Sequence, residues 1–299
     1  MKQWFQLGVV TLALAAVSMA QADTLKKIKD SGSVTMGVRE SSGALSYTLG
    51  DGKYTGYHVE ICDAVLKTLR KQLGMTDFAV RYQPVTSQNR IPLVQNGNVD
   101  IECGSTTNNL TRQKDVAFAV TTYVEEVRIA VKAKSGITSI NQLNGKTVAT
   151  TTGTTSVQTL RKHERATGVD FKEIFGKDHA DSFLLLESGR ADAFVMDGSI
   201  LAGNIAKSKA PSDFRIVGEV LSVEPIAIMM RKDDPAFKKA VDDVLKAMMK
   251  SGEIAKLYDK WFMQPIPPTN SRIGLAASEA TKAAWAAPND NPMESYAKK

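Results

Sequence analysis

The chain predicts an α/β protein of two similar lobes, each a mainly parallel sheet flanked by helices, the two joined by a pair of hinge strands. Three observations carry this. Short apolar runs alternate with amphipathic helical stretches along most of the sequence. The block Leu93-Val-Gln-Asn-Gly97-Asn-Val-Asp100 is repeated in plan 92 residues later as Leu185-Leu-Glu-Ser-Gly189-Arg-Ala-Asp192. In both, a helix end meets a glycine, an aspartate follows three residues on, and an apolar strand comes next, so Ser105 and Asp197 stand at equivalent strand ends. Two long extended runs, Tyr123 to Lys132 and Val220 to Met230, are placed to cross between such halves.

Residues 1–22 read as an export signal. Lys2 supplies the positive start, Leu7 to Val17 the apolar core, and Ala20-Gln21-Ala22 a small-x-small cleavage site, so the mature chain is expected to begin at Asp23. The apolar run is too short to span a bilayer. The chain carries 38 Lys and Arg against 32 Asp and Glu, a net +6 that drops to +5 without Lys2. These charges are interspersed, with no basic block, which argues against nucleic acid and for small anionic ligands. The three histidines (His58, His163, His179) and two cysteines show no metal-ligand spacing, and no cofactor is expected.

In chain order, Leu25 to Lys29 predicts a short helix and Val34 to Val38 the first strand, which ends in the polar Arg39-Glu-Ser-Ser. Asp51-Gly52 marks a turn. A helix runs from Tyr57 to Gly74, with Val59, Ile61, Cys62, Val65, Leu66 and Leu69 on its apolar side. Phe78 to Tyr82 is a strand, Ile91 to Gln95 a helix, and Val99 to Cys103 a buried strand. The last opens into Gly104-Ser-Thr-Thr-Asn-Asn109, where ligands of open parallel sheets sit. Thr111 is expected to cap a short helix whose first turn holds Arg112, a cation that opposes the helix dipole unless an anion lies nearby.

Further on, Ile137 to Leu143 reads as a short helix and Thr147 to Thr151 as a strand. The strand enters Thr152-Gly-Thr-Thr-Ser156 before the helix Val157 to Arg165, a turn whose free N–H groups can hold an anion, the alternative being that Ser156 merely caps the helix. Phe171 to Ile174 is a strand, and Lys177 to Ser182 opens a helix. Phe214 to Val217 forms a strand, and Pro225 interrupts the long run after it. Asp233-Asp-Pro235 starts a helix that ends at Ser251-Gly252. Another helix turns Leu257, Tyr258, Trp261 and Phe262 inward. The tail offers Ala276 to Trp285 as a docked helix and closes in mobile residues. Cys62 and Cys103 both fall in the first lobe, either as a disulfide in an oxidising compartment or as two small buried side chains.

The motifs Arg39-Glu-Ser-Ser, Thr86-Ser-Gln-Asn-Arg-Ile-Pro-Leu, Glu102-Cys-Gly-Ser-Thr-Thr-Asn-Asn, Thr152-Gly-Thr-Thr-Ser, Lys177-Asp-His-Ala-Asp-Ser-Phe, Leu186-Glu-Ser-Gly-Arg-Ala, Arg231-Lys-Asp-Asp-Pro and Trp261-Phe-Met-Gln-Pro-Ile-Pro-Pro resemble the periplasmic amino-acid-binding proteins of ABC transporters, in particular their glutamate/aspartate-binding branch. The resemblance covers nearly all of the mature chain. It implies the type II periplasmic binding protein fold, with 23–124 and 224–299 as a discontinuous first lobe and 125–223 as the second. It also implies a monomer, in the periplasm, that carries L-glutamate or L-aspartate to a membrane permease and performs no catalysis.

Matched residue by residue, it implies that Arg112 grips the ligand's α-carboxylate with Ser105 and Thr107, and that Asp197 takes the α-ammonium. Thr152, Thr154 and Thr155 would contribute from the second lobe, and Arg39, Ser87, Arg90 and His179 would surround the side-chain carboxylate. The chain departs from the pattern at Cys62 and over residues 43–51, beside Arg39. Three other readings stand next to this one, one of them a signalling module, either a sensor input domain or a protein that docks on one. A periplasmic dehydratase on the same fold would use His179 and Asp197 for acid–base work, and a glutamine or asparagine binder would leave the extra cations unpaired.

Overall fold

The computed structural model describes residues 22–296. The signal segment, up to Gln21, and the last three residues, where the mobile end of the tail was expected, lie outside the described residues.

The elements follow in chain order. Helix α1 (Thr24–Ser31) starts on the Asp23 side chain, which accepts from the Lys26 N–H at 2.8 Å, and stops at left-handed Gly32. Strand β1 (Ser33–Val38) leads into three short strands, β2 (Ser41–Ser42), β3 (Ser46–Gly50) and β4 (Lys53–Thr55). Then come α2 (Tyr57–Gln72), β5 (Ala79–Pro84), α3 (Arg90–Gln95), β6 (Ile101–Glu102) and β7 (Val116–Phe118). The long β8 (Tyr123–Lys132) is followed by β9 (Thr147–Thr151), α4 (Thr155–Thr167), β10 (Lys172–Gly176), α5 (His179–Glu187), β11 (Ala193–Asp197) and α6 (Gly198–Lys207). The chain returns through β12 (Phe214–Ile226) and β13 (Met229–Arg231) to α7 (Pro235–Ser251), α8 (Glu253–Tyr258) and the tail helix α9 (Glu279–Ala286). No described helix is long and apolar enough to cross a membrane.

Two five-stranded sheets result, ordered β5-β1-β6-β13-β7 and β10-β9-β11-β8-β12. The trios β5–β1–β6 and β10–β9–β11 are parallel; the next strand of each sheet, β13 or β8, runs antiparallel to its trio, and the edge strand, β7 or β12, pairs antiparallel with that one and so points the same way as the trio again. The sequence repeat has a structural counterpart. Asp100 accepts from the Thr35 N–H at 2.9 Å, and Asp192 accepts from the Thr147 N–H at 2.9 Å. Each aspartate thus pins the strand after its glycine turn to the start of the neighbouring strand, and the two sheets are built alike.

The strand pair β8–β12 joins them. Tyr123 and Ile226, at one end, are buried in the core that also holds Tyr57, Tyr258 and Phe262. Val127 and Ile129, a few residues along β8, are buried in the core of the second sheet. The expected break at Pro225 does not occur: Pro225 pairs in register with Val124. Strand β12 is the sheet's edge, so a residue without an N–H costs no ladder bond on the open side. The irregularity falls instead between Val217 and Ser222, where Gly218 has φ 75°.

The structure corrects one strand's bounds and adds local detail elsewhere. The strand over 99–103 shortens to Ile101–Glu102, although the backbone N–H groups of Asp100 and Cys103 still donate to the Thr35 and Gly37 carbonyls of β1, each at 2.9 Å. Residues 41–55 form a three-stranded antiparallel sheet around the Asp51-Gly52 turn, in the very stretch that departs from the family pattern. Ser156 does not cap α4. Thr154 holds the N-cap position, and its hydroxyl donates to the Thr151 carbonyl at 2.7 Å, while Ser156 is buried inside the helix. Of the two arrangements open to the cysteines, the structure has the bridge: Cys62 on α2 is bonded to Cys103 beyond β6.

Candidate functional site

The carboxyl ends of the parallel strands in both sheets face one another across the hinge pair, and a small cavity lies between them. Its walls are Ser87, Arg90, Ser105 and Thr107 from the first lobe and Thr154, Thr155, His179, Met196 and Asp197 from the second. Of these only Met196 was not singled out from the sequence. Being apolar, it fits a general strand pattern and carries no signal of its own. Arg39, Arg112 and Thr152, also singled out, do not line the cavity.

Arg39 is fully buried with most of its donors taken. One Nη donates to Ser105 Oγ at 3.3 Å, and the other contacts Ser87 Oγ at 3.0 Å, Asp178 Oδ1 at 3.0 Å and His179 Nε2 at 3.2 Å. Since a guanidinium only donates, His179 Nε2 must accept. The imidazole proton is therefore on Nδ1 and is given to Thr151 Oγ1 at 3.0 Å; the chain continues through Ser182 to the Thr150 carbonyl. Burial, reinforced by the charge of Arg39, lowers the His179 pKa to about 3, so the ring stands neutral at pH 7.

Arg112 opens the expected short helix, a 3₁₀ one (Arg112–Lys114) with Thr111 at its N-cap position, but the Thr111 side chain makes no capping hydrogen bond. Asn109 Oδ1 takes that part by accepting from the Arg112 N–H at 2.8 Å, and the Arg112 guanidinium donates to the Thr107 carbonyl at 2.8 Å. Its second Nη reaches across the cleft to the Gly153 carbonyl at 3.4 Å. Thr152 is held through its backbone, whose N–H donates to the Gly176 carbonyl at 3.1 Å.

Two groups in the wall are left uncompensated. Arg90 is 2% exposed, yet its guanidinium makes one hydrogen bond, to the Ser105 carbonyl at 3.3 Å, and its buried Nε has no partner. Burial, and after it the charges of Arg112 and Arg39, push its pKa well down, the mark of a cation short of anions. Asp197 is 5% exposed, and among the described residues nothing hydrogen-bonds its carboxylate; it stands at the N-cap of α6 without capping it. Burial, then Glu125 and Glu224, raise its pKa well above the usual carboxylate range. A buried charge without a partner is costly. The cavity therefore presents one unmatched positive and one unmatched negative group to whatever fills it.

Four further charged residues were missed by sequence reasoning. Glu125 and Glu224 face each other in register on the two hinge strands. Glu224 accepts from Thr107 Oγ1 at 2.6 Å and from Thr155 Oγ1 at 2.7 Å, while Glu125 is held by the Ser199 hydroxyl. Asp178 ties Arg39 and Ser41 of the first lobe to the second, and buried Glu102 accepts from Thr106 Oγ1 at 2.8 Å. Glu224 stands between Val223 and Pro225 and so reads as solvent-facing; Glu125 shares its strand face with Tyr123, Val127 and Ile129, and that parity is the signal that could have marked it as inward.

A family model, bacterial extracellular solute-binding proteins, family 3, matches residues 34–264. Among curated proteins, the chain is 44% identical to the glutamate/aspartate import solute-binding protein of Escherichia coli, over 96% of this chain and 97% of that one. It is also 44% identical to the L-glutamate/L-aspartate-binding protein of Pseudomonas aeruginosa, over 96% of each. Among solved structures, a mutant of ArgBP from T. maritima superposes with a TM-score of 0.72 at 26% identity, covering 81% of this chain and all of that one.

Proposed function

The chain belongs to the bacterial extracellular solute-binding proteins of family 3, with the type II periplasmic binding protein fold, and from that premise we propose that it binds L-glutamate and L-aspartate between its lobes and hands them to the permease of an ABC importer. The observation that carries this reading is the pair of uncompensated groups in one cavity, the Arg90 guanidinium and the Asp197 carboxylate. A zwitterion with a further carboxylate neutralises both, and leaves a negative group over for Arg112. In this reading Arg112 and Ser105 hold the α-carboxylate and Asp197 the α-ammonium. Arg90 and Ser87 hold the distal carboxylate, and neutral His179 keeps Arg39 in place behind them. Thr154 and Thr155 close the cavity from the second lobe, while Thr152 acts through the backbone turn it begins.

The rest of the assignment goes with it: lobes of residues 23–124 with 224–299 and of 125–223, export with cleavage after Ala22, a monomer, and release of the ligand unchanged. The relatives' names, all of import or binding proteins, support carriage over turnover. A neutral His179 with both ring nitrogens engaged is also poorly set for acid–base work. Mass spectrometry of the small molecules released on denaturing the purified protein tests the ligand, with calorimetric titration of the acids and their amides. Recovery of glutamine or asparagine, with no heat on adding glutamate or aspartate, would sink the reading. Prolonged incubation should return the amino acid intact.

A further inference from the structure

We infer that Glu224, a hinge-strand residue behind the cavity wall, is a positioning residue that fixes the Thr107 and Thr155 hydroxyls as acceptors and so makes an α-ammonium group a requirement of the site. The inference rests on the amino-acid reading above and goes beyond it. Glu224 is completely buried and does not line the cavity, whereas both threonines do. Its Oε2 lies 2.6 Å from Thr107 Oγ1 and 2.7 Å from Thr155 Oγ1, one threonine from each lobe, and its Oε1 is 2.7 Å from Ser222 Oγ.

A carboxylate has no proton to give, so each threonine must donate, and a hydroxyl has one proton only. With that proton turned back toward Glu224, each Oγ1 presents nothing but lone pairs to the cavity. Thr107 cannot then donate from its side chain to a ligand carboxylate, the part the family resemblance gave it. Together with the open carboxylate of Asp197, the wall offers three acceptor groups, and an ammonium carries three N–H donors. A ligand that keeps both carboxylates but replaces the ammonium by a carbonyl would set acceptor against acceptor, and a buried polar group left in that state costs affinity.

The test compares L-glutamate with 2-oxoglutarate, by calorimetric titration of the full mature protein and of Glu224→Ala, Glu224→Gln and Thr155→Val. Removing the carboxylate frees the hydroxyls to turn and donate. Glu224→Ala should therefore bind glutamate roughly tenfold or more weakly and 2-oxoglutarate measurably more tightly than the wild type does. A hinge residue with a merely structural role would move both ligands in the same direction. Glu224→Gln keeps an amide oxygen that accepts from both threonines, and should hold the ratio of the two affinities near its wild-type value.

Thr155→Val removes one acceptor at nearly constant volume and keeps the test open if the Ala variant does not fold; it should weaken glutamate about tenfold. A Glu224→Ala protein with an unchanged ratio, or with no gain for 2-oxoglutarate, overturns the inference, as does full glutamate affinity in Thr155→Val. A wild type that binds neither glutamate nor aspartate brings down the ligand assignment itself, and the two failures are told apart by that control.

Discussion

At the scale of single residues, the charges around the cavity separate those that face the ligand from those that hold other residues. Arg90 makes a single hydrogen bond, to a carbonyl, while Arg39 spends both its Nη groups on Ser105, Ser87 and Asp178 and leaves its Nε without a partner. Arg90→Ala should thus cost glutamate and aspartate about 2–5 kcal/mol and their amides much less, whereas Asp197→Asn should weaken every amino acid alike. Calorimetry with both ligand sets checks this, and equal losses for acid and amide in the Arg90 variant would mean that it faces the other end of the ligand.

His179 has a separate signature. Its pKa is lowered to about 3 in the folded protein against an ordinary 6.5, so the unfolded chain binds more protons between those values. Stability from this group is whole above pH 6.5 and declines as pH falls toward 3; by pH 5 the loss is roughly 2 kcal/mol. His58 carries a shift in the same direction. The measurement is therefore the difference in unfolding free energy between wild type and His179→Asn, which should change in the variant's favour as the solution is acidified from pH 7 to 5. A difference independent of pH would mean that the imidazole is not held neutral.

At the scale of elements, two glycines govern how closely the lobes approach. A Cβ on Gly203, in α6, would lie 2.6 Å from the Gly43 Cα of the other lobe, and Gly43 itself has φ 60° with its own missing Cβ 2.8 Å from the Ser199 carbonyl. Within a helix, Gly→Ala ordinarily stabilises by roughly 0.5–1 kcal/mol. Gly203→Ala should therefore leave the ligand-free melting temperature unchanged or raised, yet weaken every ligand, because the closed form has no room for the methyl group. Wild-type affinity in that variant would place the contact outside the binding-competent state.

This is also where the limits of the sequence lie. Periodicity located nearly every helix and strand, and the duplicated Gly-x-x-Asp block announced two similar lobes, because those signals are local. Polarity at strand ends pointed to most of the cavity wall for the same reason. Glu125, Glu224 and Asp178 stayed hidden because their partners lie tens of residues away, and for Glu224 and Asp178 some of those partners belong to the other lobe. Arg39 and His179 were recognisable as site residues, but which one spends its donors on protein depends on contacts that no spacing reveals.

At the scale of the whole molecule, the lobes are held together by polar contacts that surround the cavity. Asp178 accepts from Arg39 at 3.0 Å and from Ser41 at 2.7 Å, and the Ala180 N–H donates to Ser41 Oγ at 3.0 Å. All three contacts cross from one lobe to the other. A ligand that touches both lobes binds the closed form preferentially, and its observed affinity is scaled by the fraction of molecules able to close. Weakening the clasp should consequently act on all ligands equally, unlike a change in the cavity wall. Asp178→Asn is expected to weaken glutamate and aspartate by the same factor, on the order of fivefold, which corresponds to losing a partly buried ion pair worth about 1 kcal/mol. Small-angle scattering should show the ligand-induced compaction of the wild type, with the variant needing proportionately more ligand to reach it. At a thousandfold excess over Kd both proteins should gain the same stabilisation of roughly 4 kcal/mol, since that quantity depends on the ratio alone. The opposite result is chemically meaningful. If Asp178 competes with the ligand's distal carboxylate for Arg39, its removal would tighten binding, and would do so unequally for glutamate and aspartate, whose side chains differ in reach. Tighter or unequal binding in Asp178→Asn would therefore show that Arg39 is a ligand group and Asp178 its rival, not a clasp.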